Sequence, residues 1–155
     1  MAAVNINKKE FLKLLGKKLT DEFLEEKLAM FGVSAESINE NEIIVDILAN
    51  RPDLLSTYGL ARAFSNFLGL TKNKYYETKK SNYVVNVERT ANDWPYCVTA
   101  VVKNLRLNDE KIKEIIQLQE KLGATFLRNR KRGGLGIYPL DKIKFPVRYT
   151  SELPE

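Results

Sequence analysis

Ile43-Ile44-Val45-Asp46-Ile47-Leu48-Ala49-Asn50-Arg51-Pro52-Asp53-Leu54-Leu55-Ser56 changes its periodicity partway along. Ile43 to Leu48 is a largely β-branched run, apolar on both sides except at Asp46, and it reads as a strand. Pro52 disfavours helical dihedrals at Arg51 and suits a first helical turn, where its missing N–H loses nothing. A strand therefore turns sharply at Asn50-Arg51-Pro52-Asp53 into a helix, with Asp53 placed where the helix dipole favours an anion. Tyr58, Ala61, Phe64 and Leu68 carry that helix on, Leu60 and Phe67 widen its apolar face, and Gly69 ends it.

Upstream, Ala3 to Ile6 reads as a short strand. Asn7 caps a helix, with Glu10 at the spacing of a capping box. Phe11, Leu12, Leu14 and Leu15 give this helix its buried side, and Gly16 stops it. Thr20, Asp21 and Glu22 open a second helix, in which Phe23, Leu24, Leu28 and Phe31 recur at helical spacing up to Gly32. The first module is thus β-α-α-β-α.

Downstream, the polar, lysine-rich stretch from Thr71 to Asn82 marks a boundary, so modules are expected at 1–75 and 82–155. The second should hold a strand from Tyr83 to Glu88, a turn through Asn92-Asp93-Trp94-Pro95 and a longer strand from Tyr96 to Leu105. Asp109 and Glu110 open a helix with Ile112, Ile115, Ile116, Leu118 and Leu122 as its buried stripe, running on towards Phe126 and Leu127. A strand from Leu135 to Tyr138 follows. No closing element is legible at the end, so the second module reads as only the beginning of one. The fold class is α+β.

Composition narrows the chemistry. In 155 residues, 44% are hydrophobic and 29% charged, which supports a packed core. There is no histidine and one cysteine, so Ser-His and Cys-His machinery and zinc sites are excluded. Cys97, in an apolar run, reads as a small buried side chain. No Asp/Glu cluster has metal-ligand spacing. No apolar run is long enough for a bilayer and no secretory signal is visible, so a cytoplasmic, reducing setting is expected. Net charge is +5 and the pI about 9.2, which favours an anionic partner, nucleic acid first.

Two features compete as candidate sites. Arg128, Arg130, Lys131 and Arg132 are either phosphate- or partner-facing cations or a solvated turn. Asn50, Arg51, Pro52 and Asp53 are read as a helix-start device rather than a ligand or partner contact. Gly133-Gly134-Leu135-Gly136 lacks the Gly-Lys-Ser/Thr of a phosphate loop and precedes a strand. Trp94, Tyr96 and Tyr83 read as core or turn packing rather than base-stacking platforms.

Two stretches carry a resemblance. Asn50-Arg51-Pro52-Asp53-Leu54-Leu55-Ser56, followed by Gly59-Leu60-Ala61-Arg62-Ala63, resembles the strand-to-helix signature of phenylalanyl-tRNA synthetase beta subunits. Gln117-Leu118-Gln119-Glu120-Lys121-Leu122, continuing through Arg128-Asn129-Arg130-Lys131 to Leu140-Asp141-Lys142-Ile143, resembles the archaeal and eukaryotic form of that subunit near the start of its editing module. Only about ten residues separate Gly32 from Ile43, too few for the oligonucleotide-binding fold inserted in the bacterial type. At Tyr138-Pro139 the chain departs from the His-Asp common in the family.

The resemblance implies an N-terminal segment contributing to assembly, tRNA(Phe) binding and proofreading. Its partners would be the alpha subunit, in a heterotetramer, and the remainder of the beta subunit. ATP and magnesium would serve the parent enzyme and no cofactor this segment. No catalytic residue carries over, so the isolated chain is expected to be inactive. The alternative is a freestanding RNA- or protein-binding domain derived from the subunit.

Overall fold

The computed structural model describes residues 2–71, 75–88 and 95–151. Its first part is a three-stranded antiparallel sheet under a layer of helices. Strand β1 (Ala2–Asn7) pairs with β3 (Glu42–Ile47), which pairs in turn with β2 (Ser34–Ile38), giving the order β1-β3-β2. The register places Val4 opposite Val45 and Ile6 opposite Ile43. Because side chains alternate, those four and Ile47 share the buried face, while Ala3 and Asn5 point away.

Helices α1 (Lys8–Leu15), α2 (Asp21–Phe31) and α3 (Thr57–Phe67) cover that face. Phe11, Leu24, Leu28, Leu60 and Phe64 are fully buried there, and the Phe11 and Phe64 rings lie 5.8 Å apart. Asn7 caps α1 and Thr20 caps α2, each accepting from the N–H three residues on. Gly16 and Gly32 end these helices at φ of +68° and +85°, in the left-handed region that favours glycine. The capping box at α1 is not closed. The Asn7 N–H donates to Thr57 Oγ1, and the Glu10 carboxylate instead accepts from the Tyr58 hydroxyl at 3.2 Å.

Lys8 is buried, and its charge is answered on both sides. Its Nζ donates to the Asn39 carbonyl at 2.7 Å and pairs with Asp21 at 2.6 Å, tying the β2–β3 turn to the start of α2.

The α+β class holds, with one strand more than the β-α-α-β-α expectation. Strand β2, Ser-Ala-Glu-Ser-Ile, is mostly polar and lies on the sheet edge, so no apolar pattern announces it. It also occupies the short interval between Gly32 and Ile43.

The second part departs further from expectation. Only Val85–Val87 of the Tyr83–Glu88 run is a strand, β4, and it pairs in parallel with β5 (Val147–Tyr149). A pairing element therefore lies near the end of the chain, where none was expected. Residues 95–107 and 133–139 form no strand, so the Tyr96–Leu105 and Leu135–Tyr138 expectations are corrected. Val98 and Val102 stand exposed, because a β-branched run needs a partner edge before it becomes a strand. The expected turn at Asn92-Asp93-Trp94 lies outside the described residues. Cys97 is half-buried, Tyr96 is exposed, and Tyr83 packs against Phe145 with ring centroids 4.7 Å apart.

Helix α4 (Asp109–Ala124), capped by Asn108, has the expected position but not the expected buried stripe. Leu118 and Leu122 pack on the core of the first part, whereas Ile112 and Ile116 are exposed. Among the described residues, every fully buried apolar side chain lies between positions 2 and 64. The second part leans on the first part's core.

Candidate nucleic-acid and partner interface

The joint after β3 is built inward from its backbone. The Arg51 N–H donates to the Leu48 carbonyl, and Pro52–Leu54 forms a single 3-10 turn. Leu54 and Leu55 are buried beneath it. The Arg51 guanidinium forks onto the Asp53 carboxylate, Nε to Oδ1 at 3.0 Å and Nη2 to Oδ2 at 2.9 Å. Its other side lies over the Phe31 ring, 5.4 Å from the centroid. Asn50 is exposed beside the pair.

That geometry corrects the reading of Asp53 as a helix-terminal anion. Helix α3 starts four residues later, and Ser56 caps it, its Oγ accepting from the Gly59 N–H at 3.0 Å. The hydrogen bonds from Arg51 hold the Asp53 carboxyl below its ordinary value, with the positive charges of Arg51 and Arg62 adding to the effect. The same bonds raise Arg51. A Cβ on Gly59 would overlap the Asp53 carbonyl oxygen and come within 3.2 Å of its carbon. Arg51, Asp53, Leu54, Leu55, Ser56 and Gly59 thus form one interlocking corner, and the sequence reading missed the parts played by Ser56 and Gly59.

A polar groove of ≈ 590 Å³ separates α4 from the first part. Glu10, Tyr58 and Glu114 meet in it: the Tyr58 N–H donates to Glu114 and its hydroxyl to Glu10. Burial, then the charge of Glu10, pushes the Tyr58 phenol above its ordinary value. Lys13, Lys111 and Lys113 line the same groove, so its charge is mixed. Among the described residues, no group of three or more Cys, Asp or Glu side chains is arranged to hold a metal ion.

The basic cluster follows α4. Arg128, Asn129 and Arg130 take φ of +50°, +55° and +63°, three consecutive non-glycine residues in the left-handed region. The two arginines each cost roughly 1–2 kcal/mol relative to right-handed backbone, and Asn129 less, so the turn must be held by its surroundings. The Arg130 N–H donates to the Gly123 carbonyl at 2.9 Å, and the Arg132 N–H to Leu127 at 3.0 Å, folding the chain back over the end of the helix. All four cations are exposed, and among the described residues none has a carboxylate within ion-pair distance. They lie near a helix C-terminus, whose partial negative charge favours cations.

The structure therefore separates the two candidate features. Asn50-Arg51-Pro52-Asp53 is internally paired, while Arg128, Arg130, Lys131 and Arg132 present charge that nothing in the described chain neutralises. Gly133-Gly134 adjoins this turn, and the next element, a 3-10 turn at Leu140–Lys142, does not start from these glycines. Among the described residues, no helix is long and apolar enough to cross a membrane.

Residues 1–70 match the family described as the Phe-tRNA synthetase beta subunit B1 domain. The phenylalanine–tRNA ligase beta subunits of Methanococcus aeolicus and Methanocaldococcus jannaschii are each 40% identical over 96% of the chain, which spans 28% of their length. That of Archaeoglobus fulgidus is 37% identical over 81% of the chain, corresponding to 23% of its own length. Among solved structures, an N-terminal fragment of the Pyrococcus horikoshii phenylalanyl-tRNA synthetase beta subunit is similar at a TM-score of 0.85 and 33% identity. The match covers 96% of this chain and 45% of that one.

Proposed function

Since the chain belongs to the phenylalanyl-tRNA synthetase beta-subunit family, as its N-terminal part, we propose that it serves assembly, tRNA(Phe) binding and the proofreading module of such a synthetase. The observation that carries the RNA part is the unpaired basic turn at Arg128, Arg130, Lys131 and Arg132, whose cations can release counterions from a phosphate backbone. The assembly part is supported by the dependence of residues 75–151 on the core of the first part and by the apolar side chains left exposed there, Val98, Val102, Ile112 and Ile116 among them. Partners would be the alpha subunit, the remainder of a beta subunit and tRNA(Phe), with ATP and magnesium used by the parent enzyme in the cytoplasm.

The test is a chimera in which this chain replaces the matching region of the Methanocaldococcus jannaschii beta subunit. Co-expression with the alpha subunit should give a complex that charges tRNA(Phe) and hydrolyses tyrosyl-tRNA(Phe). A beta subunit lacking the region should fail to assemble or fail to hydrolyse. Unimpaired assembly and hydrolysis in the truncated enzyme would overturn the proposal. Tight tRNA binding by the isolated chain, combined with a chimera that does not assemble, would favour a freestanding RNA-binding domain instead.

A further inference from the structure

We propose that Arg130 is a positioning residue: it locks the left-handed turn onto Gly123, so that Arg128, Lys131 and Arg132, and not Arg130, face the phosphodiester backbone of a bound RNA. The proposal rests on the RNA-binding reading given above and assigns unequal roles within one cluster. Three observations set Arg130 apart.

The first is contact. A Cβ on Gly123 would meet Arg130 Nε at 3.3 Å and Cγ at 3.4 Å, so the side chain lies flat on a helix surface left bare by the glycine. Gly123 is the one buried residue of α4. The second is surroundings. Arg130 borders a cleft with Ile116, Leu127 and Leu135, which suits the aliphatic stem of an arginine. Glu120 borders the same cleft without reaching ion-pair distance, so packing and not charge holds the side chain there.

The third is backbone. Arg130 is the last of the three left-handed residues, and its own N–H closes onto the Gly123 carbonyl, the group beneath its side chain. Main chain and side chain of one residue therefore grip the same glycine. All four cations are exposed, but Arg128, Lys131 and Arg132 do not border this cleft as Arg130 does. Without the anchor, the left-handed run relaxes and no longer fixes the backbone that carries the three cations.

The test uses the 155-residue chain and a tRNA(Phe) transcript, with affinity measured across a salt series and amide exchange followed at Arg130 and Arg132. Arg130→Lys keeps the charge and removes the flat guanidinium. It should weaken binding several-fold and speed exchange at both amides by about tenfold or more, as expected for local opening. Gly123→Ala, which changes no charge, should act in the same direction but more weakly, since the Arg130 side chain has to shift by only a few tenths of an ångström. Arg128→Ser, Lys131→Ser and Arg132→Ser together should lower the salt slope by roughly 2–3, at roughly 0.7–0.9 for each phosphate contact, with exchange unchanged. Parent-like affinity and exchange in both Arg130→Lys and Gly123→Ala would overturn the positioning role. So would parent-like exchange in Arg130→Lys, with the salt slope falling by one contact only in Arg130→Ser. An unchanged affinity in the triple variant would instead overturn the RNA-binding reading, whatever the exchange data show.

Discussion

The side-chain amide of Gln117 takes the place of a neighbouring strand at Asn5. Its Oε1 accepts from the Asn5 N–H at 3.0 Å and its Nε2 donates to the Asn5 carbonyl at 3.1 Å. Strand β1 lies at the edge of its sheet, and an open edge is a template for unwanted pairing. Helix α4 covers that edge with this pair of bonds, with Glu114 on the Tyr58 N–H, and with Leu118 and Leu122 on the core.

Gln117→Ala should loosen α4 without unfolding the sheet. Two exposed hydrogen bonds exchange for water, so a loss of about 1 kcal/mol in docking is expected. Amide exchange in α4 and at Asn5 should accelerate, while β3 keeps its protection. Gln117→Leu should behave alike, because it retains bulk but neither hydrogen-bonding group. Equal acceleration throughout β3 would show that α4 and the sheet open as one unit.

Gly59→Ala should be the most damaging single methyl addition in the first part. The new Cβ would overlap a backbone carbonyl at Asp53, which has no side-chain freedom with which to yield. A loss of about 3 kcal/mol, at the upper end for overpacking, is expected in urea unfolding. Gly16→Ala, with open space around it but φ of +68°, should cost only about 1 kcal/mol. A reversed order would mean that the Asp53 corner is more plastic than its contacts indicate.

Ser56→Ala should cost about 1 kcal/mol through loss of the α3 cap. Asp53→Ala should cost less than about 1 kcal/mol, because its pair with Arg51 is well exposed to solvent and screened by salt. Raising the salt concentration should shrink the Asp53 effect and leave the Ser56 effect standing. Urea midpoints at low and high salt decide between them.

The Asp53 contribution should also depend on pH. Arg51 lowers the folded carboxyl below its ordinary 3.8, so the folded state binds fewer protons there than the unfolded chain. Stability from this pair is therefore present at neutral pH and declines as the pH falls below about 4 through the depressed folded value. Plotted against pH, the difference between the parent and Asp53→Asn should narrow over that acidic window. A constant gap down to acid unfolding would remove the linkage.

Legibility followed the range of the interactions. Asn7, Thr20, Gly16 and Gly32 were readable because a cap involves residues only a few positions apart. Ser56 was overshadowed by Pro52 and Asp53, which obey the same local rules four and three residues early. Strand β2 has no apolar alternation, since its place is set by β3 and not by its own sequence. The run from Tyr96 to Leu105 has the opposite problem, with strand composition but no neighbouring edge among the described residues. In the basic turn the charges were evident. The left-handed backbone and the grip on Gly123 were not, because the two arginines there break the usual preference for glycine and asparagine. No pattern could connect Gln117 to Asn5 across 112 positions.

The sheet order has a consequence for a chain made from its N-terminus. Ala2 pairs with Ile47 and Asn7 with Glu42, so β1 leaves the ribosome 35 to 45 residues before β3, its one strand partner among the described residues. Helix α1, capped at both ends, can form in that interval, while the β3 residues that pair with β1 are still to come. Even after β3 arrives, the outer edge of β1 stays bare until Gln117 has emerged. Neighbouring nascent chains on one messenger would meet at that edge during this window, each offering the same Ala-Val-Asn-Ile segment. The polar side chains of Asn5 and Asn7 at the edge make such a meeting less adhesive than an all-apolar strand would.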